Sequence, residues 1–334
     1  LKKLFIFVAI AFLLLGCKKD NTNRYERLVY PSHFPKPHYD FKNNPYSYDG
    51  FVLGRKLFFD PILSVNNSIS CGSCHAAVHG FADHNVKMSM GVFGRLGTRN
   101  SPPVFNMIWN TSFMWDGGIN HIEVMPVAPI TDHNEMAETM ANIVVKLKAD
   151  KAYPPLFQKA FGTDQIDDRY LLYALTQFMG AIISSNSKYD KYITGKGSLS
   201  PDELAGLQVF RTHCESCHTE PLFTNYEFIN NGLDLEFKDK GRYRITLNDE
   251  DIGKFKVPTL RNIMLTYPYM HDGRFRNIDD VLDHYANGIQ SSPTLHPSLE
   301  GGIQLTSLER SHIKSFLHTL TDYEMMGDME INEQ

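Results

Sequence analysis

Cys71-Gly72-Ser73-Cys74-His75 and Cys214-Glu215-Ser216-Cys217-His218 are the stretches on which the reading of this chain turns. Each places two residues between its cysteines and a histidine directly after the second. The chain has five cysteines, and the fifth is Cys17, so none is left over for a structural disulfide. In an exported chain, cysteines ordinarily mean disulfides, and Cys with His can mean zinc. A disulfide framework has no use for a histidine in that place, and both repeats carry the haem-attachment pattern in full. Two intervening residues let one tight turn present both sulfurs to a porphyrin edge for thioether bonds. The following histidine turns beneath the ring, where its imidazole can ligate iron. Cys71, Cys74 and His75 are therefore expected to hold one covalent c-type haem, and Cys214, Cys217 and His218 a second. His75 and His218 are the expected proximal ligands.

Outward from these motifs, the 334 residues suffice for two ordinary domains, and 42% hydrophobic residues can supply their cores. A net charge of −5 argues against nucleic acid as a partner. Lys2 and Lys3 precede an apolar run, Leu4 to Leu15, which is too short to span a bilayer comfortably and reads as a signal segment. Leu14-Leu15-Gly16-Cys17 resembles a bacterial lipobox. Residues 1–16 are thus expected as a signal peptide and Cys17 as a lipidation site, the alternative being a plain secretory signal with an incidental cysteine. The polar and then Pro- and Tyr-rich stretch over 17–46 reads as a tether. The expected location is the periplasm or cell envelope, with the membrane reached through a lipid anchor only.

Each motif sits early in its own half, which predicts a mainly α fold. Two cytochrome c-like helical domains, 47–185 and 186–334, would each carry one haem and be joined by long loops. Glu135 to Asp150 reads as helical, with Ile143, Val144 and Leu147 on one face, and Asp168 to Lys188 as a longer helix. Ser200, Pro201 and Glu203 form a helix-start signal leading through Leu207 and Phe210 into the second motif. Asn277 and Asp280 open another helix that stops at Gly288, and Thr306 with Glu309 caps a last one.

Around the motifs, the chain resembles the bacterial dihaem cytochrome c peroxidase and MauG family. The resemblance runs from about Gly50 to Thr321. It is carried by Leu57-Phe58-Phe59-Asp60-Pro61, Phe81-Ala82-Asp83, Arg99-Asn100-Ser101-Pro102, Trp115-Asp116-Gly117 and Asn134-Glu135-Met136 in the first half. Val257-Pro258-Thr259-Leu260-Arg261-Asn262 and Pro268-Tyr269-Met270-His271-Asp272-Gly273 carry it in the second. It implies that the first haem reacts with hydrogen peroxide and the second relays electrons from a small cytochrome or copper protein. It implies further that Glu135 is the carboxylate handling peroxide protons and that Trp115 stands between the haems. Asn100, Thr266 and Pro268 match an interdomain calcium site, with oxygen donors of the kind a hard cation takes. On the residues alone, Glu135 reads equally well as a helix-start residue favoured by the dipole, and Trp115 as packing.

Three departures from the family pattern bear on function. Val92 stands where many members have a histidine that blocks the peroxide haem. Tyr285 stands where peroxidases often ligate the second haem with methionine, with His284 and Met270 as alternatives. Met125 replaces a customary glutamine. The first two place the chain nearer the MauG branch and suggest a first haem open without activation. The leading expectation is a peroxidase. The alternatives are a MauG-like enzyme oxidising residues of a partner protein, and a non-enzymatic dihaem electron carrier. Thr212 stands where MauG has a surface tryptophan, which argues against a methylamine-dehydrogenase substrate. His79, His84 and His133 read as solvated loop residues.

Overall fold

The computed structural model describes residues 24–333, so the stretch expected as a signal segment and Cys17 lie outside the described residues. Short helices and long irregular connections dominate. In the first half, α1 is Tyr48–Phe59, α2 Cys71–Cys74, α3 Val127–Thr131, α4 Met140–Ala149, α5 Tyr153–Phe161 and α6 Asp168–Ala181. In the second, α7 is Lys188–Ile193, α8 Pro201–His213, α9 Tyr243–Thr246, α10 Ile278–Asp283, α11 Ser307–His318 and α12 Tyr323–Met326. A two-stranded antiparallel ribbon, β1 (Phe228–Ile229) with β2 (Phe255–Lys256), pairs Phe228 with Lys256. Among the described residues, no helix is long and apolar enough to cross a membrane.

The two halves repeat one packing solution. In the first, α1 crosses α6 at Gly54, where a Cβ would stand 1.9 Å from the Ala174 carbonyl oxygen. In the second, α8 crosses α11 at Gly206, where a Cβ would stand 1.9 Å from the His312 carbonyl oxygen. Only glycine lets helices approach so closely. Aromatic pairs fill the space beside each crossing: Phe58 and Phe178 have ring centroids 5.1 Å apart, Phe210 and Phe316 5.2 Å. Each half has its own apolar core.

Helix starts follow local chemistry. Ser200 and Glu203 form the capping box of α8, Thr306 and Glu309 that of α11, and Asn277 caps α10. Two helices are shorter than their periodicity predicts. The helix expected from Glu135 begins at Met140, capped by Thr139, and Glu135 lies in the preceding turn. The helix expected over Asp168 to Lys188 ends at Ala181, where Asn106 accepts from Ser184 N and donates its own N–H to the Ile182 carbonyl (2.9 Å each).

The stretch expected as a tether also differs. From residue 24 onward it lies against the body, with Tyr25, Phe34 and Phe41 buried in the first core. Trp109 Nε1 donates to the Pro35 carbonyl at 2.8 Å, and His33 Nε2 meets Asp190 at 2.9 Å, so this arm touches both halves. At the other end, α12 and the residues up to Ile331 return to the first core, where Arg55 donates to the Glu330 carbonyl at 2.8 Å.

Candidate functional site

Both Cys-His motifs fold into the same turn. His75 N–H donates to the Cys71 carbonyl and His218 N–H to the Cys214 carbonyl, each at 2.9 Å. Cys71, Cys74, Cys214 and Cys217 are all free thiols, so no disulfide competes for them. Among the described residues, no group of three or more His, Cys, Asp or Glu is arranged to hold a metal ion.

The histidines provide the sharper test of fit. His75 Nδ1 lies 3.0 Å from the Phe81 carbonyl, and His218 Nδ1 lies 3.2 Å from the Phe223 carbonyl and 3.1 Å from that of Pro258. A carbonyl only accepts, so Nδ1 carries the proton and Nε2 keeps its lone pair. That is how a metal-binding imidazole is ordinarily fixed from behind. Burial pushes both imidazoles down to about 4, so they stand neutral at physiological pH. Each faces a largely apolar cavity, of about 370 Å³ at the first motif and about 470 Å³ at the second. Free thiols, a neutral imidazole with an outward lone pair and an apolar cleft suit a covalent haem at each motif.

The first cavity brings Cys71, Cys74 and His75 together with Glu135, Met125 and Trp115. Glu135 stands in a turn and not at a helix N-terminus, which removes the dipole explanation for it. Burial pushes its carboxyl up to about 7, and the charge of Asp132 adds to the shift. Its backbone is held by the 91–94 loop. Val92, wholly buried, donates its N–H to the Glu135 carbonyl at 2.8 Å. Gly91 lies so close that a Cβ there would stand 2.0 Å from the Asn134 carbonyl oxygen and 2.5 Å from that of Glu135. The loop that lacks a histidine thus braces the carboxylate turn.

The second cavity is lined by Cys214, Cys217 and His218, by Tyr285 and Met270, and by Asn100, Thr266 and Pro268. Tyr285 occupies a single π-turn, His284–Gly288, that follows α10, and its carbonyl accepts from Ile303 N at 2.7 Å. Such turns recur at functional sites. Burial raises the Tyr285 phenol above its ordinary range, the Asn231 hydrogen bond opposes this, and the nearby Cys214 and Cys217 add to it. His284 is not in the cavity wall and holds its Nε2 3.1 Å from the Asn231 carbonyl, which sets it apart from the two other ligand candidates. Met270 Sδ accepts from Asn231 Nδ2 at 3.4 Å.

Trp115 lines both cavities. Its Nε1 donates to the Asn100 carbonyl at 2.8 Å, and its own carbonyl accepts from Lys256 N at 2.8 Å. The following Asp116 is gripped by Arg99 at 2.6 Å, and Arg99 in turn pairs with Asp239 at 2.6 Å. Asn100 Nδ2 is spent on the Val86 and Lys87 carbonyls (3.2 and 3.3 Å), leaving Oδ1 as its remaining acceptor.

Several residues stand otherwise than the sequence suggested. His79 and His84 are stacked at 3.9 Å, and His84 Nε2 meets the Tyr267 hydroxyl at 3.0 Å, so they form a packed pair where solvated residues were expected. His133 is exposed, as expected, beside Arg95 at 3.3 Å. Lys256, which lines both cavities, carried no motif signal, and neither did the bracing role of Gly91. Thr212 is exposed at the rim of the second cavity.

Comparison with known proteins agrees with this architecture. Residues 49–198 match the family model described as di-haem cytochrome c peroxidase. The chain is 34% identical over 297 residues to the methylamine utilization protein MauG of Methylorubrum extorquens, covering 87% of this chain and 82% of that one. It is 35% identical over 283 residues to the cytochrome c551 peroxidase of Nitrosomonas europaea, covering 83% and 81%. A solved MauG-like protein associated with microbial copper homeostasis superposes with a TM-score of 0.82 at 29% identity, covering 92% of this chain and 98% of that one. With two Cys-His turns, two apolar clefts and these relatives, the chain belongs to the di-haem cytochrome c peroxidase and MauG family.

Proposed function

We propose that this protein is a peroxidase of the cell envelope that reduces hydrogen peroxide to water with electrons from a small cytochrome or copper protein. The observation that carries this reading is Glu135, a carboxyl tuned to about 7 on the wall of the cavity that His75 faces. The haems, when bound, would supply iron that exchanges single electrons and, in the first cavity, reacts with peroxide. His75 Nε2 and His218 Nε2 would ligate the two irons, and Tyr285 would be a further ligand at the second motif. Ionising a phenol that burial has raised requires the cation itself to displace the proton, as metals do for ligating groups.

Glu135 takes the proton from one peroxide oxygen and returns it to the departing oxygen. A carboxyl near the working pH serves both transfers. Two electrons and two further protons complete the conversion of one peroxide to two waters. Met125 and Met136 keep the surroundings of Glu135 apolar, and Trp115 offers an indole through which electrons cross between the cavities. Asn100 Oδ1 with the Thr266 and Pro268 carbonyls, completed by water, would hold calcium beside Asn100 and so steady Trp115. The leader and Cys17 would place the chain at the membrane surface through a lipid. The test is peroxide consumption with a reduced small cytochrome. The reading expects two donor molecules oxidised per peroxide, and it fails if the donor stays reduced while peroxide disappears.

A second reading, oxidation of residues on a partner protein, is favoured by one observation: a tyrosine, Tyr285, lines the second cavity within the electrostatic reach of Cys214 and Cys217. Replacing Tyr285 with Phe should change the low-spin EPR signal of the oxidised protein and raise the second-haem potential, because an anionic ligand that favours the ferric state is lost. Both properties would stay put if Met270 were the ligand, and Met270→Ala would then move them.

Gly91→Ala is expected to push the Glu135 turn aside. Misplacing a catalytic group by about 1 Å costs on the order of 10²-fold in rate. Stopped-flow peroxide turnover should fall by about that factor with haem content unchanged, and an unaltered rate would show that the loop does not position Glu135.

A further inference from the structure

Lys256 lies in β2 at the wall shared by both cavities. Its side chain reaches toward the first half, where Nζ donates to the Ser112 carbonyl at 2.6 Å and lies 5.9 Å from the centre of the Phe113 ring. Phe113 lines the first cavity and not the second. Among the described residues, no carboxylate lies within ion-pair distance of this ammonium. The one carboxylate whose charge it feels, Asp116, is already engaged by Arg99 at 2.6 Å and by Gly118 N at 3.0 Å. Ser112, whose carbonyl Lys256 holds, also has a buried hydroxyl with no hydrogen-bond partner. A cation and a hydroxyl thus stand together with donors to spare beside an apolar cleft.

An ammonium placed there without an anion is costly. Burial drives its pKa down, Asp116 opposes this only in part, and the net value is about 8. Arg99, the other half-buried cation of the first cavity, is satisfied by two aspartates, while Arg244 is solvent-exposed. The second cavity wall contains no Asp or Glu at all, so nothing on that side can pair with Lys256 either. The missing partner must arrive with the ligand. A haem is apolar over most of its surface but carries two propionate carboxylates, and a half-buried lysine with free donors is chemically matched to one of them.

We propose that Lys256 is the anion-binding residue of the wall between the cavities, pairing with a propionate carboxylate of the haem held at Cys71, Cys74 and His75 and raising that haem's potential. This rests on the two-haem reading but not on peroxide being the substrate. The cation favours the ferrous state, which carries one positive charge fewer than the ferric. Its removal leaves the propionate uncompensated and favours the ferric state.

Spectroelectrochemical titration tests the assignment on the full-length holoprotein, with haem content measured first by the pyridine haemochrome method. Fewer than two haems per wild-type chain would contradict the haem reading itself, apart from any role of Lys256. With two haems, Lys256→Gln should raise the ferric-to-ferrous ratio of the first haem at least tenfold at a fixed applied potential, a fall of about 59 mV for one electron. Lys256→Arg should keep the wild-type value, and Lys254→Gln, which removes a neighbouring lysine paired with Asp251, should leave it unchanged. A first-haem ratio within twofold of wild type in Lys256→Gln overturns the proposal, as does an equal fall in Lys254→Gln. If Lys256→Gln is recovered without its full haem content, Lys256→Arg decides. Propionate bending bands in its resonance Raman spectrum that differ from wild type support the pairing, and unmoved bands reject it.

Discussion

Glu135→Gln should retain both haems and the fold, yet slow peroxide turnover by about 10² to 10⁴, the usual contribution of a positioned acid–base group. Glutamine matches glutamate in size but cannot ionise, so a defect would report proton transfer and not packing. The structure sharpens this expectation in two ways. Glu135 lies in the turn before α4 and not in its first turn, so loss of a favourable dipole contact cannot account for a defect. Its carboxyl is pushed to about 7 by burial, which ties the rate to pH. The carboxylate, needed to take the peroxide proton, becomes populated as pH rises through that value. The second-order rate with peroxide should therefore climb between about pH 6 and 8 in the wild type. In Glu135→Gln the climb should disappear along with most of the rate. Normal turnover with a normal pH profile would remove Glu135 from the chemistry.

Asp190→Ala should destabilise the protein by about 3–5 kcal/mol, the cost of leaving a buried charge without its partner. Asp190 accepts from Arg261 Nη1 and Nη2 at 2.9 and 2.8 Å, and Arg261 has no exposed surface. The same carboxylate caps α7 through Ser187 N at 2.9 Å and receives His33 Nε2 at 2.9 Å from the N-terminal arm. Arg261 lies 4.6 Å over the ring of Phe34 in that arm and donates to the Pro221 carbonyl at 2.9 Å. One ion pair therefore joins the arm, α7 and the segment behind His218. Burial alone would raise the Asp190 pKa, but the hydrogen bonds of His33 and Arg261 and the Arg261 charge outweigh it and hold the carboxyl well below the usual range. For a depressed carboxyl, the stabilisation is complete above the unfolded value of about 3.9 and is lost as pH falls below it toward the folded value. Denaturant titrations at pH 7 should show the full deficit of the variant, and the deficit should shrink in stronger acid. A variant as stable as wild type at pH 7 would mean that solvent or another group takes over Arg261.

The parts of this molecule that were legible in its sequence are those set by neighbours along the chain. Both Cys-His turns, the capping boxes Ser200–Glu203 and Thr306–Glu309 and the Asn277 cap depend on residues a few positions apart. The misjudged parts depend on distant partners. Asn106 terminates α6 by hydrogen bonds at Ile182 and Ser184, which no local pattern announces. Ala137 adopts a left-handed backbone (φ 51°) that breaks an otherwise helical periodicity between Glu135 and Met140. The arm that read as a tether did carry a warning: Phe34 and Phe41 are costly to leave in water, and both are buried. At the site, Glu135, Trp115 and Tyr285 stood out through resemblance, and each lines the expected cavity. Lys256 and Gly91 did not, because a lone lysine and a lone glycine have no distinctive spacing. Their meaning lies in what the fold places beside them.

The central claim is that the two iron sites differ: one stands open beside Glu135, and the other is closed by a protein ligand. An EPR spectrum of the oxidised protein, recorded before and after one equivalent of hydrogen peroxide, tests this most directly. The account predicts one high-spin and one low-spin ferric signal per chain, with peroxide depleting the high-spin signal. Two low-spin signals that peroxide leaves untouched would contradict it.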